Sequence, residues 1–166
     1  MKSVAVRESQ VQGKGVYALR DFSPGTLVLT IDDSHIVTDE TQLTPEQHEF
    51  DLDYVAGKTI LMQEPEKYIN HSCDPNVYVR TRAGVRHVFA LRKIPRGDEI
   101  TYDYAVNGDN DGTFLCHCGA NICRGIYQGN FFLLPRERQR YYLPYLDGWF
   151  VEKYRDILTK LSEASP

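Results

Sequence analysis

All four cysteines of this chain lie in two short stretches: Cys73 alone, then Cys116, Cys118 and Cys123 in one Cys-x-Cys-x4-Cys run. That distribution constrains the fold more than any other feature. Thiolates hold zinc at about 2.3 Å in a tetrahedron, so ligands from one loop sit close in sequence beside small turn residues. Gly119 and Gly125 are those residues here. The loop offers three sulfurs and Cys73 is the one thiol left, so a single metal site would tie the later segment over the residues around Asn70 and His71. With all four positions filled, such a zinc is structural. Clustered cysteines in a reducing compartment favour a metal. Two disulfides stay open as an alternative, as does a Cys3His site using His71 or His117. His117, wedged between two ligands, reads as a non-ligand.

The chain has 166 residues, enough for one domain with its own core. It is 42% apolar and 25% charged, the balance of a soluble globular protein. The net charge of −4 comes from acids interspersed with Lys and Arg, which argues against direct nucleic-acid binding. The first residues lack the apolar core of a signal peptide, and no run reaches membrane-spanning length. The expected location is cytoplasmic, or nuclear in a eukaryote, without secretion and without a membrane partner.

Up to about residue 126 the chain reads as short strands bounded by turn residues. The expected strands are Val4–Val6, Val16–Leu19, Thr26–Ile31, His35–Val37, Lys58–Met62, Val77–Arg82, Arg86–Ala90 and Glu99–Thr101. Ala83-Gly84 predicts a hairpin turn. One helix interrupts them: Thr44 as N-cap, Pro45 at the first position and Gln47 completing a capping box. From Pro135 the composition suits helices, with Trp149, Tyr154, Ile157, Leu158 and Leu161 near one helical face packed on the β core. Ser162–Pro166 are expected to fray.

Four motifs in order resemble those of SET-domain protein lysine methyltransferases. They are Gly13-Lys14-Gly15-Val16-Tyr17; Tyr68-Ile69-Asn70-His71-Ser72-Cys73; Gly97-Asp98-Glu99-Ile100-Thr101-Tyr102-Asp103-Tyr104; and Cys116 through Gly125, similar to the family's post-SET zinc segment. The resemblance implies a mainly β fold with short helices, small curved sheets and a knot-like crossing of the Asn70 and Tyr104 segments. It divides residues 4–126 into a SET domain at 4–110 and a zinc-binding post-SET segment at 111–126, and leaves 127–166 as an extension whose composition reads as mainly helical. The implied ligands are S-adenosyl-L-methionine as co-substrate and a structural Zn2+ on Cys73, Cys116, Cys118 and Cys123. The implied partner is a protein with an exposed lysine, histone-like or otherwise basic. The residues leave the oligomeric state open.

The same resemblance assigns roles. Tyr104 orients the amine at the reacting methyl. Tyr102 occupies the position where Phe or Tyr tunes the number of methyl groups, and its hydroxyl implies mono- or dimethylation. Lys14, Gly15, Val16, Tyr17, Asn70, His71, Tyr104, Leu115 and His117 are the implied cofactor contacts, with Phe114 beside them. Where relatives often carry Arg shortly before the Asn-His pair, this chain has Lys67. A lysine amine has a pKa of about 10.4, so about one in a thousand is neutral near pH 7.4. Desolvation and a neighbouring sulfonium lower that value. Two competing functions are a catalytically inactive, zinc-stabilised SET-like binding module and a thiol redox protein. Cys-x-Cys with one remote cysteine is unlike the usual redox pair.

Overall fold

Short β-prone runs separated by Pro and Gly turns cannot build one broad sheet. The computed structural model, which describes residues 2–163, divides them among small ones. In chain order the strands are β1 (Val4–Glu8), β2 (Lys14–Ala18), β3 (Leu27–Thr30), β4 (Leu52–Val55), β5 (Lys58–Leu61), β6 (Asn70–His71), β7 (Val77–Arg82), β8 (Val85–Ala90), β9 (Glu99–Tyr102), β10 (Asp109–Leu115) and β11 (Ile126–Asn130). Helix α1 (Pro45–Phe50) precedes β4; α2 (Arg136–Tyr142), α3 (Gly148–Lys153) and α4 (Arg155–Glu163) close the chain.

One sheet has the order β1-β2-β9-β6 and another β3-β8-β7; β4-β5 and β10-β11 are hairpins. Among the described residues only β6 runs parallel to its neighbour, pairing Asn70 with Thr101 and His71 with Tyr102. The pairing is extended by the Ser72 N–H donating to the Tyr102 carbonyl at 3.0 Å and the Asn76 N–H to that of Thr101 at 3.1 Å. The Asn76 side chain seals it, donating to the Glu99 carbonyl at 2.7 Å and accepting from the Thr101 N–H at 2.9 Å.

Apolar alternation on β2, β8 and β9 builds a first core of Val16, Phe22, Val28, Val77, Val88, Ile94 and Ile100 between the two larger sheets. A second core joins the turn after β9 to the last third of the chain, through Ala105, Val106, Phe131, Tyr142, Phe150 and Leu161. Phe131 and Phe150 are fully buried, and each such side chain contributes about 1.5–3 kcal/mol by leaving water.

The mainly β fold with short helices stands as expected. The capping box forms: Thr44 Oγ1 accepts from the Gln47 N–H at 3.2 Å, and Gln47 Oε1 from the Thr44 N–H at 2.9 Å. The Ala83-Gly84 turn takes the positive φ values, 50° and 78°, of a two-residue hairpin. Three expectations change. His35–Val37 makes only an isolated bridge, Ile36 to Ile60, because Asp39 caps a tight turn that carries the chain away. The stripe from Trp149 to Leu161 is split at Tyr154 between α3 and α4; Leu158 and Leu161 are buried, while Ile157 faces solvent at 50% exposure. Ser162 and Glu163 close α4 rather than fray, and 164–166 lie outside the described residues. Strands β4, β6, β10 and β11 carry no alternation that predicted them. The first half of β10 is polar and almost the whole strand is exposed, so its partner imposes the conformation.

Candidate functional site

The parallel pairing of β6 with β9 puts Asn70 and His71 beside Tyr102 and Tyr104. Asn70 points toward the β1–β2 turn. Its amide donates to Glu99 Oε1 at 2.7 Å and to the Lys14 carbonyl at 2.9 Å. The Ser9 hydroxyl donates to the same carboxylate at 2.8 Å, and the Tyr17 hydroxyl lies 3.1 Å from it. Gly15 makes room for this arrangement: a Cβ there would lie 2.3 Å from Glu99 Oε1. Its close approach is therefore to a carboxylate of the same chain. The Val16 side chain is wholly in the core, leaving only its backbone for any ligand. Lys14 is exposed, its ammonium 5.1 Å from the Tyr68 ring centre.

His71 is buried among aromatic rings, 5.3 Å from Tyr104, 5.2 Å from Tyr127 and 5.9 Å from Phe114 between centroids. The Tyr104 N–H donates to its Nδ1 at 3.3 Å, and its Nε2 faces Cys73 Sγ at 3.5 Å. Burial brings its pKa down to about 4, against the pull of Asp103, so the imidazole is neutral.

Tyr104 is 37% exposed, yet its hydroxyl turns inward and donates to the Ile69 carbonyl at 2.7 Å. The Tyr102 hydroxyl donates to the Val106 carbonyl. Burial holds both phenols above their ordinary pKa, so neither is a tyrosinate at neutral pH. Each has committed its proton to a backbone carbonyl, and each presents oxygen lone pairs as acceptors.

The hairpin β10–β11 carries the cysteine loop. All four sulfurs lie within 4.8 Å of one another, and Cys73 Sγ is 3.8 Å from Cys116 Sγ. A tetrahedron with bonds of about 2.3 Å has edges of about 3.8 Å, so the set fits zinc. No disulfide links them, and neither His71 nor His117 joins the group. The N–H of Cys73 points at Cys118 Sγ, that of Arg124 at Cys73 Sγ and that of Gly125 at Cys123 Sγ, each at 3.4 Å. Such donors favour thiolate. At Cys118 burial works against the charge, but the backbone N–H groups of Cys73 and Ala120 outweigh it and bring the thiol down to about 7. Leu115, 70% exposed, and Phe114, 44% exposed, form an apolar shelf before the loop, and His117 is exposed within it.

Several residues carry weight that the sequence reading missed. Asp103 is wholly buried between the two tyrosines and receives both Arg124 terminal nitrogens at 2.8 Å. Arg138 donates to the Cys73 carbonyl at 3.1 Å and to the Tyr142 hydroxyl at 2.7 Å, so α2 holds the same segment from behind. Tyr127 stacks on Phe114 with centroids 4.4 Å apart. The one available signal was Asp103 itself, an acid inside an otherwise core-facing motif that demands a cation.

A family model described as "SET domain" matches residues 13–105. Among curated proteins, "Histone-lysine N-methyltransferase trr" of Drosophila melanogaster is 34% identical over 74% of this chain and 6% of its own length. Human "Histone-lysine N-methyltransferase 2D" is 31% identical over 74% of this chain and 2% of its own, and human "Histone-lysine N-methyltransferase 2B" 33% identical over 74% and 5%. The chain therefore spans only a few per cent of these relatives. Among solved structures, the methyltransferase domain of human SETMAR shares the fold with a TM-score of 0.60 and 20% identity, over 78% of this chain and 59% of that one.

Proposed function

The chain belongs to the SET-domain family, and on that premise we propose that it transfers a methyl group from S-adenosylmethionine to the ε-amine of a substrate lysine. The co-substrate, when bound, supplies a methyl carbon made electrophilic by its sulfonium. The amine lone pair attacks that carbon, the carbon–sulfur bond breaks with its electron pair on sulfur, and the methylammonium loses a proton to water. The observation that carries this reading is the pair of inward-bonded phenols. Tyr104 and Tyr102 act as acceptors for the two N–H bonds of a neutral amine, which leaves the lone pair free to point at the methyl. A channel walled by such rings also strips water from the amine and lowers its pKa.

In this assignment Tyr104 is the catalytic residue and Tyr102 limits the product to mono- or dimethyllysine. The backbone of Lys14 through Tyr17, with Asn70, His71, Tyr104, Leu115 and His117, holds the co-substrate, and the apolar shelf of Phe114 and Leu115 suits a nucleoside. Cys73, Cys116, Cys118 and Cys123 hold structural zinc. Residues 4–110 act as the catalytic domain, 111–126 as the zinc segment and 127–166 as a supporting extension. The substrate is a histone-like or other basic protein, met in the nucleus or cytoplasm.

The test is transfer of radiolabel from S-adenosylmethionine to a panel of core histones, ribosomal proteins and source-cell extract, with mass spectrometry on labelled bands. Wild type labels lysine and Tyr104→Phe is about a hundredfold slower, the scale of losing a positioned catalytic group. A zinc-loaded wild type that binds the co-substrate and labels nothing overturns the reading in favour of a binding module.

A further inference from the structure

The hydroxyl of Tyr102 is held from two sides, and the second side is anchored by the C-terminal extension. Its proton goes to the Val106 carbonyl, and the Asn107 side-chain amide donates to its oxygen at 3.3 Å. Asn107 is not free to turn. Its Oδ1 accepts the Asp147 N–H at 2.7 Å, which fixes the amide with its NH2 toward the phenol. Asp147 is itself buried at 1% exposure and accepts both the N–H and the hydroxyl of Thr81, at 2.9 and 2.7 Å. Asn107 also has a φ of +65°, a conformation few residues other than Gly and Asn adopt readily. A non-glycine side chain kept there, bonded at both ends, has a task beyond filling a turn.

We propose that Asn107, clamped by Asp147, is a positioning residue that sets the Tyr102 hydroxyl as a fixed acceptor and thereby makes residues 127–166 part of the control over how many methyl groups a lysine receives. The inference rests on the methyl-transfer reading above. A phenol oxygen flanked by one donor and one acceptor has a single satisfied orientation, with one lone pair left for an incoming N–H. An amine that still has an N–H to give is retained there. When the phenol is free to tilt or to rotate its proton, that discrimination weakens and the more methylated products rise.

The experiment compares wild type, Asn107→Gly, Tyr102→Phe and the double variant on the protein labelled in the panel assay. Gly at 107 removes the amide without backbone strain at positive φ. The readout is the ratio of di- plus trimethyllysine to monomethyllysine at equal total turnover. Asn107→Gly raises that ratio about threefold and Tyr102→Phe about tenfold, the scale of one neutral and one shared hydrogen bond. In the Tyr102→Phe background, Asn107→Gly changes the ratio by less than about twofold, because its effect passes through the missing hydroxyl. Asn107→Asp, which keeps the shape but replaces the donor with an acceptor, shifts the ratio in the same direction as Asn107→Gly. A merely structural asparagine would slow all products alike and act equally in both backgrounds; that outcome overturns the inference while leaving the reaction intact. A wild type that labels nothing removes the reaction and the inference together.

Discussion

Two phenol protons, both spent on backbone carbonyls, decide how Tyr102 and Tyr104 meet a substrate. Burial holds Tyr102, Tyr104, Tyr127 and Tyr142 above the ordinary tyrosine pKa. For a raised phenol, the unfolded chain ionises first as pH rises, so it binds fewer protons than the folded one and stability falls. Thermal unfolding should therefore be insensitive to these groups below about pH 9 and decline above about pH 10, with Tyr127→Phe showing a shallower decline. A wild-type profile flat to about pH 11 would contradict the inward placement of these hydroxyls. Gly15 sets a second residue-scale expectation. Gly15→Ala forces a methyl group against the Glu99 carboxylate, and urea unfolding should register a loss of about 1–3 kcal/mol. At this scale Tyr102, Tyr104, Asn70, His71 and the four cysteines were legible because they sit in contiguous motifs. Asn107, Tyr127 and Asp147 were not, since their partners come from far along the chain and a lone Asn or Tyr has no periodicity to betray it.

Strands with alternating apolar residues, such as β2, β7 and β8, could be read directly, and so could α1 from its cap. Two of the elements that build the site could not, although β9 and β2 beside them could. β6 is two residues long, and β10 is mostly polar; each exists because a distant strand supplies its hydrogen bonds. One joint between elements is the wholly buried Asp103 with Arg124, which ties the end of β9 to the exit of the cysteine loop. Arg124→Met leaves a wholly buried carboxylate without a cation, held by the Ala105 N–H and the Tyr142 hydroxyl, at a cost of about 3–5 kcal/mol. Adding Asp103→Asn should recover part of that loss, because the stranded charge is gone. Chemical denaturation of the three variants measures it; a loss below about 1 kcal/mol for Arg124→Met would mean the pair is not isolated from solvent.

Across the whole molecule, the β core and the helical extension meet at the turn after β9, at the cysteine loop and along β7, where Thr81 bonds Asp147, so a metal in that loop acts at one of the joints between both cores. Purified protein should carry one zinc per chain by elemental analysis. Removal by a strong chelator should abolish cooperative thermal unfolding, since a structural zinc contributes on the order of 10 kcal/mol, comparable to the whole stability of a domain. Cys118→Ser should do the same without chelator, and retention of a sharp transition by the metal-free protein would refute a structural zinc. The long reach of Cys73 has one more consequence, for the protein during its own synthesis. A ribosome delivers Cys73 and Asp103 before the thiols, Arg124 and Arg138 that complete them. Until those residues leave the exit tunnel, the nascent chain holds an orphan thiol and a carboxylate with no cation. The surroundings of Cys73 and Asp103 are therefore completed only by the last third, and a message cut short in that interval yields a chain with both unpartnered, a target for proteolysis.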